Sequence, residues 1–150
     1  MDKKKLSDTL RHVEKLCRVR GVRLTAHRRT VLELLYVSDK PLSAYEILDQ
    51  MRSDTHNPTP PVVYRALDFL IKQGLIHKLE CLHAFMACPH PEHPHSSQFL
   101  ICDGCGEVCE IENREITQSL LSAEKVTGFK TKRPIVEFLG TCSQCSKPGQ

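Results

Sequence analysis

At 150 residues the chain has room for one ordinary domain or two small ones, and its 40% hydrophobic and 26% charged residues describe a water-soluble globular protein. No apolar run approaches the roughly 18–20 residues of a bilayer span, and the basic start Met1-Asp2-Lys3-Lys4-Lys5 leads into no apolar signal core, which argues against membrane insertion and secretion and for a cytoplasmic protein. The net charge of +3 is unevenly shared: residues 1–76 carry 14 Lys+Arg against 9 Asp+Glu, or +5, and residues 77–150 carry 7 against 9, or −2.

The first predicted helix carries Leu6, Leu10, Val13 and Leu16 at helical spacing and stops at Gly21. Thr25 is placed to cap a second helix through Val31, Leu32, Leu34 and Leu35. Ser38-Asp39-Lys40-Pro41-Leu42 reads as a turn. Ser43 and Glu46 then form a capping box for a third helix with Ile47, Leu48 and Met51 on its apolar side. A polar break follows from Ser53 to Pro58. The fourth helix has Thr59 at its N-cap, Pro60 at its first position and Gly74 at its end. Val63, Ala66, Leu67 and Leu70 form its apolar stripe; Tyr64, Arg65, Asp68 and Lys72 lie opposite. The period then changes, and Leu75–Glu80 and Ala84–Cys88 read as a β-hairpin. Helices in series that end in a capped helix and a hairpin describe a winged helix-turn-helix, whose last helix enters the major groove of DNA. In that setting an arginine reads guanine edges and a tyrosine holds phosphate or packs on a thymine methyl.

Seven of the eight cysteines lie beyond the first helix, and in a reducing compartment clustered cysteine binds metal more often than it forms disulfides. Cys102-Asp-Gly-Cys105 and Cys142-Ser-Gln-Cys145 can each bend around one ion, and two such pairs complete a tetrahedral four-cysteine zinc site, closed to water and therefore structural; the competing reading, a redox Cys-x-x-Cys, is disfavoured because the two pairs lack a thioredoxin-like surround. The interval between them holds a helical pattern, Asn113–Val126, and a strand-like one, Pro134–Leu139. Before the first pair lies a second constellation: His77, Cys81, His83, Cys88, His90, His93 and His95, with Glu110 beyond. Pro89-His-Pro-Glu-His-Pro-His95 is too rich in proline for regular structure and reads as a hinge. A mixed nitrogen, sulfur and oxygen donor set suits zinc, and at a hinge it would control geometry.

These features resemble the Fur superfamily of metalloregulators, and within it the zinc uptake regulators. The resemblance is carried by Val22-Arg-Leu-Thr25 with Arg28, Ser43-Ala-Tyr45, Pro61-Val-Val-Tyr-Arg-Ala-Leu-Asp-Phe-Leu70, Gly74-Leu-Ile-His-Lys78, Ile101-Cys-Asp-Gly-Cys-Gly106 and the Cys142/Cys145 pair. It implies an α+β fold: a winged-helix DNA-binding domain over residues 1–88, a hinge over 89–98 and a zinc-holding α/β dimerisation domain over 99–150. It also implies two zinc ions per chain. The structural one falls on Cys102, Cys105, Cys142 and Cys145. The regulatory one falls on His77, Cys88, His95 and Glu110, with His93 or His90 as alternatives to His95. Tyr45, Tyr64 and Arg65 are the DNA-reading candidates. The chain departs from the family at Leu24-Thr-Ala-His-Arg28, which usually reads Leu-Thr-Pro-Gln-Arg, and at His93-Pro-His95-Ser-Ser, where the iron-sensing branch has a run of histidines followed by Asp-His.

The implied activity is repression of zinc-uptake genes by a zinc-loaded homodimer on palindromic operator DNA. No membrane and no small-molecule substrate is called for. The alternative is a sibling regulator that senses iron, manganese, nickel or peroxide; Cys81 and Cys109 leave a redox role open. A zinc enzyme is disfavoured, because four protein ligands leave no position for water.

Overall fold

The computed structural model describes residues 3–52, 58–93, 95, 97–132 and 134–146. The chain divides into two compact units, Met1–Pro94 and His95–Gln150. The proline-rich stretch 89–98 spans that division. The polar break at 53–57 lies outside the described residues.

The first unit contains α1 (Lys3–Val19), α2 (Ala26–Val37), β1 (Leu42–Ser43), α3 (Ala44–Arg52), α4 (Pro60–Lys72), β2 (Ile76–Leu79) and β3 (Ala84–Ala87). Its core takes Leu10, Val13 and Cys17 from α1, Val31, Leu32 and Leu35 from α2, Ile47, Leu48 and Met51 from α3, and Val63, Ala66, Leu67 and Leu70 from α4. Each buried aliphatic side chain contributes about 1.5–3 kcal/mol. Of the expected α1 stripe, Leu10 and Val13 are buried while Leu6 and Leu16 are only partly so, and Cys17, which the stripe left out, is fully buried. Burial also pushes the Cys17 thiol above its ordinary pKa.

Local signals explain the helix ends. At α3 the capping box forms in full, with the Ser43 N–H donating to Glu46 Oε2 at 2.7 Å and the Glu46 N–H donating to Ser43 Oγ at 3.2 Å. Thr25 and Thr59 take the N-cap positions of α2 and α4 with extended backbone, but neither side chain caps. Gly74 has φ +65°; its N–H bonds the Ile71 carbonyl and the Leu75 N–H bonds the Leu70 carbonyl, each at 2.9 Å. That pair of bonds is a Schellman motif, which ends α4 and turns the chain into β2.

The hairpin β2–β3 pairs antiparallel, with Ile76 opposite Ala87 and His77 opposite Met86. Its turn holds His83 at φ +49°, a left-handed conformation that histidine tolerates better than most residues. The segment read as a turn before Ser43 ends instead in β1, which pairs with β3 and completes a three-stranded sheet in the order β1-β3-β2. Two residues carry no period, so a strand this short leaves no sequence signal.

The second unit holds β4 (Gln98–Cys102), β5 (Val108–Ile111), α5 (Arg114–Thr127) and β6 (Val136–Gly140). β4 is central, antiparallel to β5 and parallel to β6. Asn113 caps α5, its side-chain oxygen accepting from the N–H groups of Glu115 and Ile116, and Gly128 at φ +71° closes it. Gln98 is fully buried on β4: its oxygen accepts from the Asn113 N–H at 2.7 Å and its amide nitrogen donates to Thr117 Oγ1 at 3.2 Å. A buried amide satisfied this way anchors the start of α5 to the central strand. α5 itself buries no residue, and Leu100, Leu120, Leu121, Phe129, Phe138 and Leu139 are exposed.

Candidate metal centres and nucleic-acid interface

The parallel pairing of β4 with β6 sets Cys102 opposite Gly140, so the loop after β6 reaches the loop after β4. The Asp103 N–H donates to the Gly140 carbonyl at 2.8 Å, which joins the two loops directly. The first loop turns back through Gly106 at φ +74°, whose N–H bonds the Cys102 carbonyl at 2.9 Å. A Cβ at Gly104 would lie 3.2 Å from Cys145 Sγ, so glycine makes room for the fourth sulfur. The sulfurs of Cys102, Cys105, Cys142 and Cys145 all lie within 4.8 Å of one another, and Cys105 and Cys142 are 3.8 Å apart. A tetrahedron with metal–sulfur bonds of about 2.3 Å has edges of about 3.8 Å.

The charges in this cluster favour a cation. Backbone N–H groups of Cys142 and Cys105 lower the Cys102 thiol to about 6; the Cys142 donor is 3.2 Å from its sulfur. The sulfurs of Cys142, Cys105 and Cys102 push the Cys145 thiol up to about 12. Four thiolates so close together repel unless a metal ion neutralises them. The residues therefore fit zinc.

The remaining donors form a pair on each unit. On the first, His77 stands on β2 and Cys88 follows β3; a histidine nitrogen and the buried cysteine sulfur lie within 4.8 Å of each other. They are diagonal neighbours on one face of the hairpin, since the Cys88 N–H bonds the Leu75 carbonyl at 2.9 Å, two residues before His77. The Tyr36 hydroxyl donates to the Cys88 carbonyl at 3.4 Å. On the second unit, His95 Nε2 is 3.0 Å from Glu110 Oε1, and Ser97 Oγ donates to the same oxygen at 2.5 Å. An imidazole nitrogen and a carboxylate oxygen are both donors that zinc takes. His90 and His93, the alternatives to His95, are exposed, as are Cys81 and His83 in the hairpin turn.

Tyr64 and Arg65 lie on the exposed side of α4, opposite its buried stripe, and Tyr45, the aromatic residue of α3, is exposed as well. Arg65 Nε donates to the Pro61 carbonyl at 3.3 Å, which sets the side chain along the helix surface. Arg28 is engaged in the fold: its guanidinium stacks on the Phe69 ring at 3.5 Å and donates to the Arg23 carbonyl at 2.7 Å.

The family model described as "Ferric uptake regulator family" matches residues 19–139. The chain belongs to this family. Among Ferric uptake regulator relatives, the Zinc uptake regulation protein of Escherichia coli (strain K12) is 39% identical over 148 residues, covering 97% of this chain and 85% of that one. Two solved structures are similar. One, described as holo XcZur, has 44% identity and a TM-score of 0.85, covering 93% of this chain and 97% of that chain. The other, a zinc uptake regulator complexed with zinc and DNA, has 37% identity and a TM-score of 0.89, covering 93% and 94%. The family and these relatives are regulators by name, not enzymes.

Three residues near these sites carry no signal in the sequence pattern. Arg20, Ser97 and Gln98 look like ordinary polar positions, and their roles rest on hydrogen bonds to distant or adjacent segments. Gln98 gives the nearest thing to a clue, a polar residue opening the apolar run Phe99-Leu-Ile101.

Proposed function

We propose that this member of the Ferric uptake regulator family is a zinc-dependent transcriptional repressor that acts in the cytoplasm on zinc-uptake genes. The observation that carries the reading is the pairing of an exposed Tyr64/Arg65 face on α4 with zinc-type donors in both units. The likeness to a zinc- and DNA-bound uptake regulator supports it.

In this reading Cys102, Cys105, Cys142 and Cys145 hold a permanent zinc, which supplies charge neutralisation and folding energy when bound. His77, Cys88, His95 and Glu110 hold a second, exchangeable zinc. Because His77 and Cys88 belong to one unit and His95 and Glu110 to the other, one ion bound by all four selects a restricted set of domain arrangements. DNA affinity then scales with the competent fraction. The exposed apolar side chains of β4, α5 and β6 suit a second copy of the chain, and a two-fold dimer presents two α4 helices to successive major grooves of a palindrome. Tyr64, Arg65 and Tyr45 make the DNA contacts.

Elemental analysis before and after mild chelation, with DNA binding assayed in parallel on a candidate palindrome, tests the reading. The expected result is two zinc ions per dimer subunit, one of which leaves together with DNA binding. Retention of DNA binding after loss of that zinc, or better restoration by iron or manganese, would overturn it.

A further inference from the structure

We infer that Arg20 is a positioning residue that couples the regulatory metal pair to the recognition helix. This rests on the reading of His77 and Cys88 as zinc ligands and of α4 as the DNA-reading helix. Arg20 follows α1. One guanidinium nitrogen donates to the Gln73 carbonyl at 2.5 Å, and the other donates to the Pro91 carbonyl at 2.7 Å. Gln73 is the C-cap of α4. Pro91 lies three residues beyond Cys88, in the irregular segment that leads out of the first unit, and is buried. A single planar group thus bridges the end of the recognition helix and the chain that leaves the metal pair.

The same two segments are joined a second time, through the backbone. The Leu75 N–H closes the Schellman motif on Leu70, while the Leu75 carbonyl accepts from the Cys88 N–H. Cys88 is therefore one hydrogen bond from the end of α4. The backbone link holds Cys88, and Arg20 holds the residues after it. A third tether is weaker: His12 Nε2 lies 3.1 Å from Glu92 Oε1 on the surface. With Arg20 in place, a shift of residues 89–92 on metal binding is passed to the C-cap of α4 as well. Without Arg20, Cys88 keeps its backbone link, but residues 89–92 can adjust to the metal without moving the C-cap. Arginine suits this role because its fork is rigid and offers donors to two acceptors; lysine carries the same charge on a point donor.

Arg20→Gln and Arg20→Lys test the inference in the full-length, structurally zinc-loaded dimer. Operator affinity is measured at saturating zinc and after removal of the exchangeable zinc. Zinc affinity is measured by chelator competition with and without operator, and amide exchange is followed over residues 73–92. Both variants should keep the structural zinc and the dimer. The zinc-dependent gain in operator affinity should fall by about tenfold or more, and the tightening of zinc by operator should fall by the same factor. Affinity for DNA without the exchangeable zinc should change little, and the amides of His90 and Glu92 should exchange faster. Arg20→Lys guards against misfolding of Arg20→Gln and against a simple loss of positive charge. An Arg20→Lys protein that gains as much from zinc as the parent would overturn the inference, as would equal losses of DNA affinity with and without zinc. Absence of any zinc-dependent gain in the unsubstituted protein would instead overturn the proposed function.

Discussion

Replacing Cys102 by serine probes the larger cysteine cluster at its most constrained member. Cys102 is the buried one, it ends the central strand β4, and its sulfur accepts the Cys142 N–H at 3.2 Å. The serine hydroxyl keeps that hydrogen bond but is a poor zinc ligand, so the site drops to three thiolates. Among the described residues of the second unit, those buried are Gln98, Phe99, Ile101 and Cys102, and α5 buries none. Burial of Phe99 and Ile101 supplies roughly 3–6 kcal/mol. A structural zinc supplies about 10–16 kcal/mol, so the metal dominates the stability of this unit. Cys102→Ser should therefore release zinc and unfold the second unit while the first, with its own core, keeps its helices. The assay combines zinc release with thermal unfolding followed by circular dichroism. The parent should show a transition sensitive to strong chelation, and the variant should lack it. Unchanged zinc content and an unchanged melting profile in Cys102→Ser would refute the reasoning, because they would show that sheet packing alone holds the unit.

Three further outcomes follow from other residues. Arg65→Ala should lose about 1–3 kcal/mol of operator affinity and relax base preference at the contacted position, measured by fluorescence anisotropy on operator variants; equal affinity for all variants in the parent would discount base reading. Cys88→Ser should leave the fold, the dimer and the four-cysteine zinc intact but remove the zinc dependence of DNA binding, and a variant that still switches would exclude Cys88 as a ligand. Ser43→Ala should destabilise the first unit by about 1 kcal/mol in urea unfolding, since it removes the cap of α3. Ser43 also holds the Glu46 carboxyl below its ordinary pKa. A depressed folded-state pKa means that this stabilisation is present above the usual carboxylate range and fades as pH falls through it, so the gap between parent and variant should narrow in acid. A gap independent of pH would show that the charge of Glu46 plays no part.

The sequence by itself determined the parts whose physics is local. The period of apolar residues marks α2, α3 and α4, and Ser43 with Glu46, Asn113 and Gly74 mark helix ends because a side chain or a left-handed φ acts within four residues. The two Cys-x-x-Cys pairs announce their chemistry for the same reason, since each pair spans one turn around an ion. The tertiary structure decided what depends on distant partners. The parallel pairing of β4 with β6, across about forty residues, is what brings Cys102 and Cys105 to Cys142 and Cys145. The two-residue strand β1 exists only because β3 lies beside it. Cys17 is buried more deeply than Leu16, which packs at the core's edge, because the rotation of α1 is set by what packs on it, not by which residue is more apolar. Arg20 is legible in sequence only as a basic residue before Gly21; that its fork spans Gln73 and Pro91 follows from a chain that returns 53 and 71 residues later.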